Sequence, residues 1–241
     1  MQRLDVYLKA LYGSRTKAKE SIESGRVRVN GRVINKGAFL LHESDEVSIE
    51  PHHIALSRAG HKLRGFIASL TQSGLWDSLH LQDKRVLDIG ASTGGFAQVL
   101  LESCVSEVVC VDVGKNQLHH SIACDERVRV FEECDIRDFY DERGFDMVVC
   151  DVSFISLYKL MESFERLRSR EYIWLFKPQF EVGIEAKRNK KGVLKDKILG
   201  VEALERFCQY LTTRHFRILA REKSVIHGKE GNEEFFIYAK R

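Results

Sequence analysis

The chain has 241 residues, 44% of them hydrophobic, and a formal net charge of +3 from 38 Lys and Arg against 35 Asp and Glu. That length allows one or two domains, and ordinary apolar content with a small net charge excludes disorder as the main state. No run approaches the roughly 18 apolar residues of a membrane span, and the opening MQRLDVYLKALYG lacks a signal-peptide core, so a cytoplasmic protein is expected.

The first fifty residues read as a small α+β module. RLDVYLKALYG places Leu4, Leu8 and Leu11 on one helical face, Gly13 stops that helix, and Ser14 can cap a second one that closes at Gly25. Val27 and Val29 then alternate with basic residues up to Asn30-Gly31, a dipeptide that favours a tight type I′ hairpin, and a last strand, EVSIE, ends at Pro51. The charge here is uneven. Residues 1–36 hold nine Lys or Arg against Asp5, Glu20 and Glu23, a local +6 that later acids mask. Arg3, Arg15, Lys17, Lys19, Arg26 and Arg28 are therefore candidate phosphate contacts, since clustered cations on a compact module give sequence-independent affinity for nucleic acid.

From about residue 83, short β-branched runs alternate with helical stretches: RVLDIG, EVVCVDV, RVRVFEECD, FDMVVCDV, EYIWLF, FRILAREKSVI and EEFFIYAK. Near-continuous apolar strands imply burial on both faces, as in a mostly parallel, Rossmann-like sheet covered by helices, and the last two strands are too close in sequence for a helical crossover, so they pair antiparallel. The six cysteines, at 104, 110, 124, 134, 150 and 208, show no C-x-x-C spacing and read mainly as buried reduced thiols; the adjacent histidine pairs diverge, and no metal is expected.

RVLDIG runs into GASTGGFAQVLL, a Gly-rich turn opening a helix. A dinucleotide loop needs glycine where Ser92 stands, and Asp88 suits a sulfonium or ammonium better than a pyrophosphate, so S-adenosylmethionine (SAM) fits better than a nicotinamide cofactor. Asp88, Gly90, Ser92, Thr93, Gly94, Gly95 and Phe96 form the expected cofactor loop. Asp112, ending the next strand, would accept from ribose hydroxyls, and Asp135 from the adenine amino group. The D-x-G-x-S-x-G-G-F form resembles that of FtsJ-like methyltransferases.

Asp151 and Lys177 end the fourth and fifth strands and face the same crevice, where a buried lysine beside an aspartate is costly unless paired or functional. Lys62 lies in SRAGHKLRGF, a helix start with Arg58, His61 and Arg64 and no acid between residues 51 and 70. In GNEEFF, strand alternation lets only one of Glu233 and Glu234 point inward, and the pattern leaves the choice open.

Two resemblances bear on these residues. GSRTKAKESIESGRVRVNGRVINKGAFLLHESDEVSIE resembles the RNA-binding domain of ribosomal small-subunit protein S-four, the alpha-L motif, over residues 2–49. SRAGHKL, LDIGASTGGF, VVCDVSFISL, FKPQFEVG and GNEEFF together resemble the TlyA family of ribosomal RNA methyltransferases, also labelled hemolysins, over almost the whole chain. The resemblance implies an S-four-like domain at 1–50, a linker at 51–57 and a class I SAM-dependent methyltransferase domain at 58–241. It further implies methylation of a cytidine ribose 2′-hydroxyl in ribosomal RNA by a Lys62, Asp151, Lys177 and Glu234 tetrad. Lys177 is expected to take the hydroxyl proton, helped by burial and by the second cation Lys62, with the two carboxylates orienting both ammonium groups and no metal required. Family members often carry an aromatic residue just before the Ser-Arg of this linker, where the present chain has Ala55 and Leu56. Short members of this kind act on the large subunit, so 23S RNA is the expected substrate, with the protein as a monomer. Residues 181–197, including Lys187 and Arg188, are expected to form a basic clamp that acts with Arg58 and Arg64 on the RNA. Against a non-catalytic RNA-binding factor stand the intact Asp88–Phe96 loop and the four tetrad positions, and the membrane-lytic alternative finds no segment of suitable amphipathic length.

Overall fold

The computed structural model describes residues 2–12, 15–23, 25–42, 44–49 and 57–241, the side chains of Tyr12, Thr16, Lys17 and Glu20 excepted. The expected stop at Gly13, cap at Ser14, boundary at Pro51, linker residues 51–56 and Lys17 side chain lie outside the described residues. The chain divides into two compact units, Met1–Ala55 and Leu56–Arg241.

The first unit runs β1 (Gln2–Arg3), α1 (Leu4–Tyr12), α2 (Arg15–Glu23), β2 (Val27–Val29), β3 (Arg32–Val33), β4 (Leu40–Leu41) and β5 (Val47–Ile49). Leu4, Leu8, Ala18, Ile22, Val27, Val29 and Leu41 make its core. Leu11, expected on the same face, is 63% exposed, because it stands in the last turn of α1, past the edge of this small core. Asn30 and Gly31 take φ of 50° and 78°, the two left-handed residues a type I′ turn requires. Asn30 also fastens the hairpin to the start of β5: its amide donates to Asp45 Oδ1 (2.7 Å) and its Oδ1 accepts from Glu46 N (2.9 Å). The antiparallel pairing of β1 with β4 is an addition to the sequence reading.

The second unit opens with α3 (Arg58–Gln72), whose Ser57 cap accepts from Gly60 N. It continues through β6 (Arg85–Ile89), α4 (Gly95–Glu102), β7 (Glu107–Val111), α5 (His120–Ala123), β8 (Val128–Phe131), β9 (Met147–Cys150), α6 (Met161–Arg166), β10 (Glu171–Phe176), α7 (Pro178–Glu181), α8 (Lys197–Thr213), β11 (Arg217–Lys223) and β12 (Phe235–Lys240). The seven strands lie in the order β11-β12-β10-β9-β6-β7-β8. β8, β7, β6, β9 and β10 are parallel, and β12 is antiparallel to both β10 and β11, as the short final connection requires. β9 and β10 are buried throughout, whereas the edge strand β8 is half exposed, so the two-sided burial expected of RVRVF does not hold there. One sheet face packs an aromatic cluster in which Trp174, Phe164, Phe207 and Phe216 meet edge to face. On the other, Phe66 of α3 and Phe96 of α4 both stack on Phe236.

At the opposite end of the sheet from the strand tips that carry the site, Glu171 is held by His80 Nε2 (2.7 Å), Tyr238 OH (3.0 Å), Lys84 Nζ (3.3 Å) and Lys240 Nζ (3.1 Å). Burial pushes this carboxyl up, but the hydrogen bond from His80 and the charges of His80 and Lys84 outweigh it and hold it at about 2. The folded value lies below the unfolded one, so the stabilisation is complete above about pH 5 and is lost as pH falls toward 2. Glu171→Gln is expected to cost about 2 kcal/mol at pH 7 after allowance for solvent screening, with the gap from wild type falling to less than half by about pH 3 and closing only below about pH 2, as read from denaturant midpoints across that range. A gap that stays constant with pH would refute the charge assignment.

Candidate active site

The turn after β6 carries three left-handed residues, Gly90 (φ 78°), Ser92 (φ 46°) and Gly94 (φ 91°). A Cβ on Gly90 would lie 2.7 Å from the main-chain oxygen of Asp151, so only glycine lets β6 and β9 exit side by side here. Beyond the strand ends a cavity of about 360 Å³ opens at the switch point between β6, β7 and β9. Gly90, Ser92, Asp112 and Asp135, four of the residues read as cofactor contacts, wall it together with Val113, Gln117, Cys134, Ile136, Asp151, Ser153, Phe154 and Ile155.

Asp112 Oδ2 accepts from Ser92 N (2.8 Å) and Oδ1 from Gly114 N (2.7 Å), which fixes the carboxylate and leaves a second lone pair on each oxygen for a ligand hydroxyl. Asp135 is held by three N–H groups of Arg137, whose hydrogen bonds keep its carboxyl low, so roughly one acceptor site faces outward. Glu132, which the sequence reading passed over, accepts from the main-chain N–H of Asn116, Gln117 and Leu118 and pins the segment after Asp112 against the cavity. Val113 and Ile136 were also missed; each is the apolar residue directly after an acid at a strand end, and that adjacency was the available signal.

The remaining loop residues do other work. Asp88 is fully buried, in register with Cys110 and Val149, with its carboxylate facing the main-chain N–H of Ala97 in α4. Burial, and then the charge of Asp151, push it up to about 8 against the lowering effect of the Ala97 N–H, with Asp112 adding a smaller upward push. It lies behind the turn and is not a cavity wall, which corrects the expectation of direct cofactor contact. Phe96 is a correction of the same kind, its ring being part of the core against Phe236. Thr93, Gly94 and Gly95 shape the turn without lining the cavity. Gly90 at a close backbone approach, Asp112 with open acceptor sites, and the apolar walls Val113, Ile136 and Ile155 fit an adenosine-bearing cofactor.

The tetrad positions form two ion pairs in which both lysines and Glu234 are buried and Asp151 is partly so. Lys62 donates to Glu234 Oε2 at 2.6 Å, with side chains 8% and 4% exposed. Lys177 Nζ lies 2.6 Å from Asp151 Oδ1 and donates to Ser153 Oγ at 2.8 Å. The antiparallel register of β10 with β12 ends at Phe176 opposite Phe235, so the next position sets Lys177 beside Glu234. Pro178 holds the preceding Lys177 in extended backbone (φ −117°, ψ 96°) as it leaves the sheet. Glu233 faces outward to Lys197 (2.9 Å) and Lys223 (2.8 Å), which settles the choice left open between the two glutamates.

Among the basic residues, Arg3, Lys9, Arg15 and Lys19 share a groove of about 550 Å³ in the first unit, Lys9 being an addition to the sequence reading. Arg3 is clamped to Asp5, Lys19 lies 3.6 Å from Glu23, and Arg28 donates to Gly31 O; Arg26 is half-buried. Arg58 donates to His227 O, and Arg64 pairs with Glu102. Lys187 is exposed, but the Arg188 guanidinium is consumed by the carbonyls of Gln179, Gly183 and Ala186. Arg188 braces its loop and is not a free phosphate contact, a third correction.

A mostly parallel sheet with a nucleoside-sized cavity at its switch point, flanked by two buried lysine–carboxylate pairs, defines a nucleoside-cofactor-dependent transferase. Residues 55–241 match the FtsJ-like methyltransferase model and residues 2–47 the S4 domain. The chain is 38% identical to the 23S rRNA (cytidine-2′-O)-methyltransferase TlyA of Campylobacter jejuni, over 98% of each chain. It is 32% identical to the 16S/23S rRNA (cytidine-2′-O)-methyltransferase TlyA of Mycobacterium tuberculosis, over 98% of this chain and 88% of that one. A solved protein from Streptococcus thermophilus that carries a provisional hemolysin name superposes with a TM-score of 0.69 at 30% identity, covering all of this chain and 88% of that one. The chain belongs to the TlyA family, in which an S4 domain precedes an FtsJ-like methyltransferase domain.

Proposed function

We propose that this protein transfers a methyl group from SAM to the ribose 2′-hydroxyl of a cytidine in large-subunit ribosomal RNA. The observation that carries the proposal is the pair of buried lysine–carboxylate contacts at neighbouring strand ends, beside a cavity fitted to adenosine. Asp112 would hold the ribose hydroxyls of the cofactor and Val113 and Ile136 its adenine. When bound, the cofactor supplies a methyl group on a cationic sulfur. Lys177 takes the proton of the attacking 2′-hydroxyl, a role that contributes about 10²–10⁴-fold when the base is well placed. Lys62 stabilises the charge that develops on that oxygen, and Asp151 and Glu234 balance the two lysine charges. All four side chains come from one chain, so a monomer carries the whole constellation. Arg3, Lys9, Arg15 and Lys19 give the first unit its affinity for phosphates. Among the described residues no helix is long and apolar enough to cross a membrane, and a protein acting on ribosomes works in the cytoplasm.

The test is methyl transfer from labelled SAM to isolated large and small ribosomal subunits, with the product nucleotide mapped. Label in a 2′-O-methylcytidine of the large-subunit RNA is the expected result. Label on a base, or in neither subunit, would overturn the proposal.

A further inference from the structure

Lys177 must present its amine to the substrate in one orientation, and the two groups beside it do not contribute equally to that. The Asp151 Oδ1 contact, at 2.6 Å, is an ion pair lying off the hydrogen-bond direction, whereas Ser153 Oγ accepts a directed hydrogen bond from Lys177 Nζ at 2.8 Å. Charge attraction alone leaves the head group free to rotate, while a directed bond fixes one of the three tetrahedral positions on the nitrogen. Ser153 also stands in the wall of the cofactor cavity, so the amine it orients is held toward that cavity.

The surrounding chain holds Ser153 in place. Phe154, the next residue, takes φ 66°, a conformation that a bulky side chain rarely adopts and that persists only where neighbouring contacts enforce it. Its ring lies against Phe180 of α7, with 5.3 Å between ring centroids. Glu181, at the end of α7, accepts from Ser156 Oγ (2.6 Å) and Leu157 N (2.8 Å), so the segment after Asp151 is tied to the helix that begins directly after Lys177. The base and the hydroxyl that orients it thus lie on two segments fastened to each other at Glu181.

We infer that Ser153 is a positioning residue for methyl transfer: its hydroxyl sets the direction in which Lys177 Nζ receives the 2′-hydroxyl proton. The inference rests on the transferase reading above. In the step concerned, the O2′–H bond breaks and its proton passes to the Lys177 nitrogen lone pair. The new O2′–CH₃ bond forms as the methyl–sulfur bond breaks, its electron pair staying on sulfur. Ser153 neither gains nor loses a proton in the net reaction. It fixes the lone-pair direction, and a misdirected base loses rate even though binding is intact.

The experiment compares wild type, Ser153→Ala and Ser153→Thr in steady-state methyl transfer to large-subunit RNA across pH 6–10. The ¹⁵Nζ resonance of Lys177, assigned by its loss in Lys177→Met, is titrated in the same proteins without substrate. Ser153→Ala is expected to lower kcat about tenfold, with KM for RNA and for SAM within about twofold, and to move both the acid limb of the kcat profile and the ¹⁵Nζ titration. Ser153→Thr, which keeps the hydroxyl at an exposed position with room for a methyl group, is expected to restore most of kcat and the wild-type titration. An active wild type whose Ser153→Ala variant keeps its kcat, its pH profile and its ¹⁵Nζ titration overturns the inference alone. So does a threonine variant that folds and binds SAM but is as slow as alanine. A wild type that transfers no methyl group to a ribose hydroxyl overturns the transferase reading and this inference together.

Discussion

Lys177→Met is expected to lower single-turnover methyl transfer by about 10²- to 10⁴-fold while SAM binding stays close to wild type. The two effects separate because Lys177 is 8% exposed and does not wall the cofactor cavity, whereas Asp112, Val113 and Ile136 do. Methionine follows the apolar stem of the lysine as far as Cε, with sulfur in place of Cδ, and lacks the ammonium, so the side chain stays apolar and of similar bulk. A second variant distinguishes proton acceptance from simple charge. Lys177→Arg keeps a cation opposite Asp151 but cannot deprotonate at the pH of the assay, so it too is expected to be inactive. Single-turnover rates together with calorimetric titration of SAM check both variants. Full transfer by Lys177→Met with undisturbed binding would remove Lys177 from the role of base, and near-normal transfer by Lys177→Arg would reduce that role to electrostatics.

Much of the sheet was legible because β9, MVVC, and β10, which after Glu171 reads YIWLF, are continuous apolar runs of the kind found in strands buried on both faces. The helix start in SRAGHKLRGF was legible too, and the structure adds what fixes it, a cap at Ser57 and a buried stripe at Leu63, Phe66 and Leu70. What failed depended on partners distant in sequence. Asp88 reads as a loop acid from its spacing to Gly90, and only its place in a central strand, between Cys110 and Val149, shows why it is buried. Arg188 reads as one of several solvated cations, and nothing local reveals the three carbonyls that take its guanidinium. The choice between Glu233 and Glu234 needed a fixed register, because a shift of one residue exchanges every side chain between faces. Strands of two residues, such as β1 and β4, are too short to show a period at all.

The second buried pair predicts a loss that a catalytic role alone would not produce. Lys62 and Glu234 meet at 2.6 Å with side chains 8% and 4% exposed, so Glu234→Gln leaves a buried ammonium without its counter-charge. Removing one partner from such a pair costs about 3–5 kcal/mol, because desolvation of the remaining ion is no longer offset. Most of that cost falls where Lys62 lies, in α3, between the capped start at Ser57 and the packing of Phe66 on Phe236. Hydrogen exchange at the α3 amides reads it directly, without assuming that the two units unfold together. Replacing both partners, Lys62→Met with Glu234→Leu, removes the stranded charge and is expected to return stability to within about 1 kcal/mol of wild type. That double variant should nevertheless remain inactive, since the charge that stabilises the developing oxyanion is gone. Recovery of stability without recovery of methyl transfer separates the structural worth of the pair from its chemistry. A stable and active double variant would make the pair a packing element, and a stable and active Glu234→Gln would show that the contact matters to neither.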